Sequence, residues 1–363
     1  MTRSRVLLGL ALAVVVAAPA HADPAKCRKT ILSQLRKFKK VYLKSQQKCL
    51  DAENVGKIAG PCPDSAAIFK IQNANQKVVD KIAATCSSAD IAAIGYPNDC
   101  AFEPATTGIE ALCAALPVTT PAELAECLKC WKGAELSEYL AILYASHANE
   151  ICGGDLGETS PVCSDLDCTT PLPDQRNLGN TGENDCQRAI GKAGIKYLLS
   201  REKILEKCGL LGNNSVGCFA DPKVQFLLQR AEEKKAAGIQ SKCGNRTPVA
   251  NPPFCCRTGT GNQCTASPTR TDCVDNLGGT VQEGKICNAG NCDPTPGQQE
   301  ITWWENCPES DTCPGPALSN LGDLIDCIDT AANAIVDELL CEQFPSGWPC
   351  PTGPGSASGA FLD

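Results

Sequence analysis

The sequence predicts an all-α protein made of two copies of one module, each a disulfide-stapled antiparallel helical hairpin followed by a helical cap. Three observations predict this fold class: an internal repeat, apolar residues at helical spacing, and cysteines at both ends of the predicted helices. A small irregular cysteine-rich insertion is expected to interrupt the second copy.

The first 22 residues have the pattern of a secretory signal peptide. Arg3 and Arg5 give a positive start, and the 13 apolar residues from Val6 to Ala18 are too few to span a bilayer. A small-x-small cleavage signal ends at Ala22. Cleavage there would place the mature chain in the periplasm or outside the cell, and no later stretch is apolar enough to predict a membrane span.

Cysteine is abundant in this chain, and large apolar side chains are scarce. There are 26 Cys in 363 residues, whereas Phe, Trp and Tyr together make up only 5%. In an exported chain this many cysteines indicate disulfides rather than free thiols. We expect the disulfides to stabilise a core that lacks bulky residues.

The internal repeat sets the predicted boundaries. Cys27 and Cys49 are 22 residues apart, and so are Cys186 and Cys208. A repeat of such a long period predicts two structural copies. In chain order the predicted segments are a signal peptide (1–22), hairpin one (23–95), cap one (96–152), a linker (153–183), hairpin two (184–245), the insertion (246–300), cap two (301–350) and a disordered tail (351–363).

Each predicted hairpin helix carries one apolar stripe, because its apolar residues recur at helical spacing. In the first helix of hairpin one the stripe consists of Ile31, Leu35, Phe38 and Tyr42. In the second helix it consists of Ala67, Ile71, Ala74, Val78 and Ile82. Two such stripes predict that the helices pack against each other.

Both caps have a clear helix start. Thr120 can cap the first helix, with Pro121 at the first helical position and Glu123 completing a capping box. Asn320 and Asp323 are the counterparts in copy two. Both caps are therefore predicted to be helices.

The insertion has a composition unlike that of the modules. It is rich in Cys, Gly, Thr and Asn, and residues 255–292 hold six cysteines. This composition predicts a knot of disulfide-held loops, with a short hairpin around residues 278–287. A protease-inhibitor role for the knot is one alternative function.

Helix length predicts which hairpin cysteines pair. A helix of about 22 residues is roughly 33 Å long, so cysteines at its two ends cannot bond to each other. Antiparallel packing brings opposite ends together and predicts four disulfides: Cys27–Cys86, Cys49–Cys62, Cys186–Cys243 and Cys208–Cys218. An odd number of cysteines then remains between the hairpins and another odd number after hairpin two. This predicts either an inter-copy bridge or a free cysteine on each side, with Cys130 and Cys341 as candidates.

A C-x-x-C motif offers an enzymatic alternative. Cys127 and Cys130 have the spacing of a thiol–disulfide redox pair, which needs an exposed thiolate of low pKa. Copy two has Thr330 in place of Cys130, which favours structural disulfides. His147 is the only histidine of the mature chain, and no motif for a metal, a cofactor or an activated nucleophile is present. The sequence therefore predicts no catalytic site, no metal and no cofactor.

The segment CRKTILSQLRKFKKVYLKSQQKC, residues 27–49, holds eight Lys or Arg and no acidic residue. Two explanations stay open: this surface is solvated or packs on acidic parts of the same chain, or it binds an anionic polymer. Anionic polysaccharide or another envelope component is the predicted partner, and the candidate residues are Arg36, Lys37, Lys39, Lys40 and Lys44. Phe38 and Tyr42 lie on the apolar stripe, which argues against nucleic acid as the partner. Self-association between basic and acidic surfaces is a further alternative.

Two stretches carry a resemblance to a known group of sequences: CQRAIGKAGIKY, which leads to EKC, and TTPAELAECLKC at the first cap. In them the chain resembles exported cysteine-rich repeat proteins of deltaproteobacteria. The resemblance covers both hairpins and both caps, and copy one departs from it at RKTILSQLRK. It implies a Gram-negative source and supplies no catalytic residue.

Overall fold

The fold is that of a computed structural model of the chain. It describes residues 23–102, 112–144, 181–212, 214–244 and 320–345, the single residues 307, 318 and 348, and the backbone of short strands between 248 and 302. The predicted signal peptide, most of the predicted linker and the predicted tail lie outside the described residues.

Both copies are helical, so the all-α fold class is confirmed. The helices of copy one are α1 (Pro24–Asn54), α2 (Ser65–Thr85), α3 (Ser88–Ile94) and α4 (Pro121–Leu143). The helices of copy two are α5 (Thr181–Gly209), α6 (Ser215–Ala220), α7 (Pro222–Cys243) and α8 (Leu321–Gln343). Helix α5 begins earlier than predicted and includes the end of the predicted linker 153–183.

The two cap helices, α4 and α8, start where their sequences predict. The Glu123 N–H donates to the Thr120 hydroxyl at 3.2 Å, and the Thr120 N–H donates to the Glu123 carboxylate at 2.9 Å. Asn320 and Asp323 form the same capping box, with both distances at 3.1 Å. These bonds satisfy backbone donors that the first turn of a helix leaves unpaired.

Both hairpins are closed by disulfides at each end. The structure contains all four pairings that helix length predicts, with Cα–Cα distances between 4.6 and 5.7 Å: Cys27–Cys86, Cys49–Cys62, Cys186–Cys243 and Cys208–Cys218. In the chain-entropy model each bond of this kind contributes about 3–4 kcal/mol to stability. The hairpins are therefore held together covalently as well as by side-chain packing.

The two cysteines of the C-x-x-C motif are not bonded to each other, so they do not form the redox pair of the enzymatic alternative and instead make the structural disulfides that the sequence favours. Cys127 bonds to Cys100, and Cys130 bonds to Cys113. The chain before α4 brings two cysteines against the same helix, and each cysteine of the motif meets its own partner there. Cys127 is also fully buried, which would keep a thiolate from a substrate.

The caps share one disulfide position. Cys307–Cys327 in copy two is the equivalent of the Cys100 bond to α4 in copy one. Cys341 is disulfide-bonded too, and none of the cysteines that the structure describes is free. Neither candidate for a free cysteine, Cys130 or Cys341, is therefore unpaired.

The insertion contains short strands between 248 and 302, past its predicted end at 300. Strand β2 pairs with β3 and β4, β5 pairs with β6, and β1 pairs with β7. The prediction of a hairpin around 278–287 is wrong, because β4 pairs with β2 and β5 pairs with β6. Turn residues between two strands do not indicate whether either strand pairs with a distant one. The strands are β1 (Pro248–Val249), β2 (Phe254–Arg257), β3 (Cys264–Ser267), β4 (Thr280–Gln282), β5 (Lys285–Asn288), β6 (Asn291–Pro294) and β7 (Ile301–Thr302).

Four long helices lie side by side in one layer, in the order α2, α1, α5 and α7. Helices α1 and α5 are antiparallel: Arg36 bonds to Glu206, whereas Asp51, further along α1, lies 3.9 Å from Arg188 near the start of α5. Helices α4 and α8 contact each other and pack on one face of this layer. The two copies are therefore related by an approximate two-fold axis normal to the layer.

The core lies between the four-helix layer and the caps. Tyr139 and Tyr144 from the first cap are fully buried there against α5. Glycine allows this close approach, because a Cβ at Gly191 would meet the Tyr144 ring and one at Gly194 would meet Leu143. In the parts of the chain that the structure describes, no helix is both long enough and apolar enough to cross a membrane.

Candidate functional site

The seam between α1 and α5 holds a buried ionic cluster. Lys39 is fully buried and contacts the Glu202 carboxylate, while the Arg36 guanidinium donates to the Glu206 carboxylate at 2.9 Å. Lys39, which was predicted to bind an anionic surface, is thus engaged inside the protein, and the Arg36 side chain, 35% exposed, is paired with a carboxylate. The prediction fails for Lys39, because a helix within a layer buries a second side beside its apolar stripe.

The cluster continues into the two caps. The Lys132 ammonium of α4 contacts the Glu342 carboxylate of α8 and lies 3.7 Å from the Glu135 carboxylate. The Gln343 amide donates to the Glu202 carboxylate at 3.1 Å. Two helices from each copy are joined by these contacts.

Burial changes the protonation equilibria inside the cluster. Desolvation lowers the pKa of Lys39 from its ordinary 10.5 to about 7, although the Glu206 carboxylate opposes this shift. Burial and the nearby Glu342 carboxylate raise the pKa of Glu135 well above its ordinary value. Such shifts also occur in active sites, but here the Lys39, Lys132 and Glu342 side chains are completely inaccessible to solvent. A substrate could not reach them, so we assign the cluster a structural role.

The charges of the cluster are complementary between the copies. Its cations, among the described residues, belong to copy one, and all of its carboxylates except Glu135 belong to copy two. The repeat places Leu198 at the position of Lys39, and Leu43 at the position of Glu202. Part of the basic segment therefore does pack against acidic residues of the same chain, which was one of the two open explanations.

A second group of lysines lines a groove on the outer surface of hairpin one. The groove lies between α1 and α2 and has a volume of about 680 Å³. No acidic side chain lines it. The lysines that line it are all exposed: Lys37, Lys40, Lys44, Lys48, Lys70 and Lys77.

Helical geometry explains why these lysines form a row. Lys37, Lys40, Lys44 and Lys48 recur at i, i+3, i+7 and i+11, which puts them on one side of α1. Within the described residues, none of the six ammonium groups has an ion pair or a hydrogen bond. Their fields therefore add over distances shorter than the Debye length, which is about 8 Å at physiological salt.

One aromatic ring is exposed beside the lysines. Phe69, in the first turns of α2, lines the groove with 66% of its surface exposed. By contrast, Phe38 and Tyr42 are only 3% exposed. The groove thus combines several cations with a single apolar ring face.

The predicted site residues divide between these two regions. Lys37, Lys40 and Lys44 line the groove, whereas Lys39 is buried in the ionic cluster and the partly exposed Arg36 pairs with Glu206. Sequence reasoning missed three further groove residues, Lys48, Lys70 and Lys77. A signal for them existed, because Lys48 extends the row on α1 and the other two are seven residues apart on one side of α2.

Comparison with known proteins identifies no relative of this chain. No protein-family model matches this chain. No curated protein and no solved structure is significantly similar to it. The resemblance to exported cysteine-rich repeat proteins stays a prediction. Among the described residues no group of three or more His, Cys, Asp or Glu is placed to hold a metal ion.

Proposed function

We propose that this protein is an exported disulfide-rich binding protein that holds an anionic polysaccharide of the cell envelope in the groove between α1 and α2. The observation that carries the proposal is the set of six exposed lysines with no carboxylate among the groove-lining residues. The disulfides support a periplasmic or extracellular location, because they persist in oxidising compartments.

Lysine suits a polymer whose charges are spread along a chain. An ammonium group is a compact point charge on a flexible stem, whereas bidentate recognition of one carboxylate or phosphate typically uses arginine. Every cation that lines this groove is a lysine. Each exposed contact contributes only about 0.2–1 kcal/mol, so useful affinity requires several contacts at once. We therefore expect binding that is multivalent and weakened by salt.

Nucleic acid fits this groove less well than a sugar chain. Grooves that bind single-stranded nucleic acid combine cations with several aromatic side chains on which successive bases stack. Phe69 is the one aromatic side chain exposed in the groove. A single ring can cover the apolar side of one sugar unit, and the lysines can contact the charged groups of its neighbours.

Two other functions predicted from the sequence lack comparable support. A redox role needs Cys127 and Cys130 to act as a pair, and each is bonded to another cysteine. A protease-inhibitor role depends on side chains of 246–300, which lie outside the described residues. Self-association also stays a prediction.

The test is binding of residues 23–363 to heparin, used as a sulfated polysaccharide probe, at low and high salt. Combining Lys37→Gln, Lys40→Gln and Lys44→Gln should weaken binding about tenfold at low salt, because three contacts of about 0.5 kcal/mol each are lost. The matched control combines Lys26→Gln, Lys29→Gln and Lys57→Gln. It removes three exposed charges of the same hairpin from outside the groove lining, and it should bind within about twofold of the parent protein.

Three results would contradict the proposal. Equal losses in the two variants would show that net charge alone attracts the probe. Unchanged binding in the groove variant would show that the groove is not the site. Tighter binding to single-stranded DNA than to heparin chains of equal length would show that the ligand class is nucleic acid.

A further inference from the structure

Hairpin two presents a second basic groove. This groove lies between α5 and α7 and has a volume of about 690 Å³. Arg188, Lys192, Lys196 and Lys234 are among its cations, and Asp185 is the one carboxylate that lines it. Arg188 takes part in two long ion pairs of 3.9 Å. The three lysines named here have no ion pair within the described residues.

The two copies share lysines on this surface although their buried charges differ. Alignment of the repeats matches exposed lysine with exposed lysine at four positions: Lys37 with Lys196, Lys44 with Lys203, Lys48 with Lys207, and Lys77 with Lys234. Phe69 also has an exposed counterpart, Phe226. The interior of the repeat has diverged, as Lys39 and Leu198 show. Four of the six groove-one lysines have a lysine counterpart, and two of these counterparts, Lys196 and Lys234, line the second groove.

The lysine row of α1 lies on the side of the helix that faces away from the caps. Lys39 points from α1 towards α5, where it contacts Glu202. The Tyr42 hydroxyl is hydrogen-bonded to the Ser137 hydroxyl of α4, so this side of α1 faces the cap. Since α2 covers a third side, the row that begins at Lys37 occupies the remaining, outer side.

The groove of copy two lies on that same outer face. On α5, Glu206 points towards α1, and the Gln187 amide donates to the Leu143 carbonyl of α4 at 2.7 Å. Helix α7 covers a third side of α5, and Lys196 lies on the fourth. Both grooves therefore open on one face of the four-helix layer, opposite the caps.

The antiparallel seam brings the two grooves to overlapping levels along the layer. Lys39 meets Glu202, and Asp51 approaches Arg188. Lys44 of α1 therefore lies at nearly the same position along the helix axes as Lys196 of α5. Neighbouring packed helices are 8–10 Å apart, so the groove centres lie about 20 Å from each other across the seam. A band of positive charge thus crosses the layer.

We infer that the two grooves bind one anionic polysaccharide chain together, and that the chain crosses α1 and α5 rather than following a single helix. This inference rests on the proposed function of the first groove. A chain held in one groove meets the second at high effective concentration, which increases affinity without a new kind of contact. The ligand is a linear polyanion whose charged groups extend over more than about 20 Å.

The experiment measures the affinity and stoichiometry of sized heparin fragments by titration calorimetry. One set is shorter than about 20 Å when extended, and the other is well above that length. The variants are the groove-one triple substitution, a groove-two triple substitution (Lys192→Gln, Lys196→Gln and Lys234→Gln), and the Lys26, Lys29 and Lys57 control. All substituted lysines are exposed, so the variants should fold.

We expect one long chain per protein, bound about 100-fold more tightly than a short chain. Either groove variant should lower the affinity for long chains about tenfold, because three contacts of one groove are lost. Short chains should occupy two sites in the parent protein. In each groove variant one of these two sites should weaken about tenfold, and the control should match the parent protein.

Two outcomes would overturn the inference and leave the proposed function intact. In one, the groove-two variant binds long chains like the parent protein while the groove-one variant loses affinity. In the other, two long chains bind per protein, so that each groove acts alone. Failure of both lengths to bind the parent protein would instead overturn the proposed function together with this inference.

Discussion

Lys39 illustrates how position in the fold changes the role of a residue. It lies in a segment of 23 residues with eight cations, yet its ammonium group is fully buried among carboxylates from copy two. Burying a charge carries a large desolvation penalty, which only close opposite charges can offset. Lys40, the next residue, is exposed and lines the groove.

Lys39 should lose its proton near neutral pH in the folded protein. Burial lowers its pKa to about 7, whereas its ordinary value is 10.5. The unfolded chain therefore keeps this proton to a higher pH than the folded protein does, and the contribution of Lys39 to the free energy of unfolding should rise as pH rises from about 7 towards 10.5. Nitrogen NMR of the lysine ammonium groups should show a resonance that titrates near pH 7.

The control for this titration is Lys40→Met, which should leave the resonance in place. Lys39→Met should remove it. Survival of the resonance in Lys39→Met would assign it to a different lysine. Lys235 is the alternative, because burial lowers its pKa as well.

At the scale of the elements, close packing of α5 against α4 depends on glycine. A Cβ at Gly191 would overlap the Tyr144 ring, whose hydroxyl donates to Asp51 at 2.9 Å. Gly133, within α4, has no atom within 4 Å of its added Cβ. The two positions therefore form a matched pair of helical glycines in different surroundings.

Alanine should have opposite effects at these two glycines. Gly191→Ala should lower the free energy of unfolding by about 1–3 kcal/mol, because the Tyr144 ring must move. Gly133→Ala should raise it by about 0.5–1 kcal/mol through better helix propensity. Denaturant unfolding measures both values. Equal effects would show that α4 and α5 do not approach as closely as described.

The hairpin disulfides should differ in the stability that they contribute. The Cys27–Cys86 bond spans 59 residues and the Cys49–Cys62 bond spans 13. In the chain-entropy model, replacing the first pair with alanine should cost about 4 kcal/mol and replacing the second about 3 kcal/mol. Denaturant unfolding of the two double variants gives the comparison. The reverse order would show that contacts at the helix ends outweigh the entropy of the unfolded chain.

At the scale of the whole molecule, the two faces of the four-helix layer have different surroundings. The inner face packs on the caps, and opposite charges along the seam match copy one to copy two. The outer face carries lysines from both copies. Because the buried charges have opposite sign in the two copies, two identical copies could not form the same seam.

A charge exchange across the seam should test this matching of copies. Lys39→Glu would place a further carboxylate beside Glu202 and should cost at least about 3–5 kcal/mol, since a buried charge loses its partner. Adding Glu202→Lys restores opposite charges and should recover at least half of that loss. Denaturant unfolding measures this, and the yield of fully oxidised protein is a second readout if the single variant does not fold.

The control for the exchange is Lys40→Glu at an exposed position, which should change stability by less than about 0.5 kcal/mol. Absence of any recovery in the exchanged variant would contradict a specific Lys39–Glu202 pairing. It would also remove the reason for regarding the seam as selective for unlike copies.

Most of the fold could be predicted from spacing along the chain. Apolar residues at helical intervals, capping boxes at Thr120 and Asn320, and cysteines one helix length apart are local or regular signals. They led to the helices, the cap starts and the four hairpin disulfides. Three of the five predicted anion-binding residues also line the groove, because an exposed row on a helix has its own period.

Other features depend on contacts between segments that are far apart in the chain. Local spacing could not show that Lys39 faces Glu202, that Cys127 and Cys130 each meet a cysteine from before α4, or that β4 pairs with β2. It also could not show that the grooves of the two copies share one face. The period of a helix tells which residues lie on the same side, but neighbouring helices determine whether that side meets solvent, a cap or the other copy.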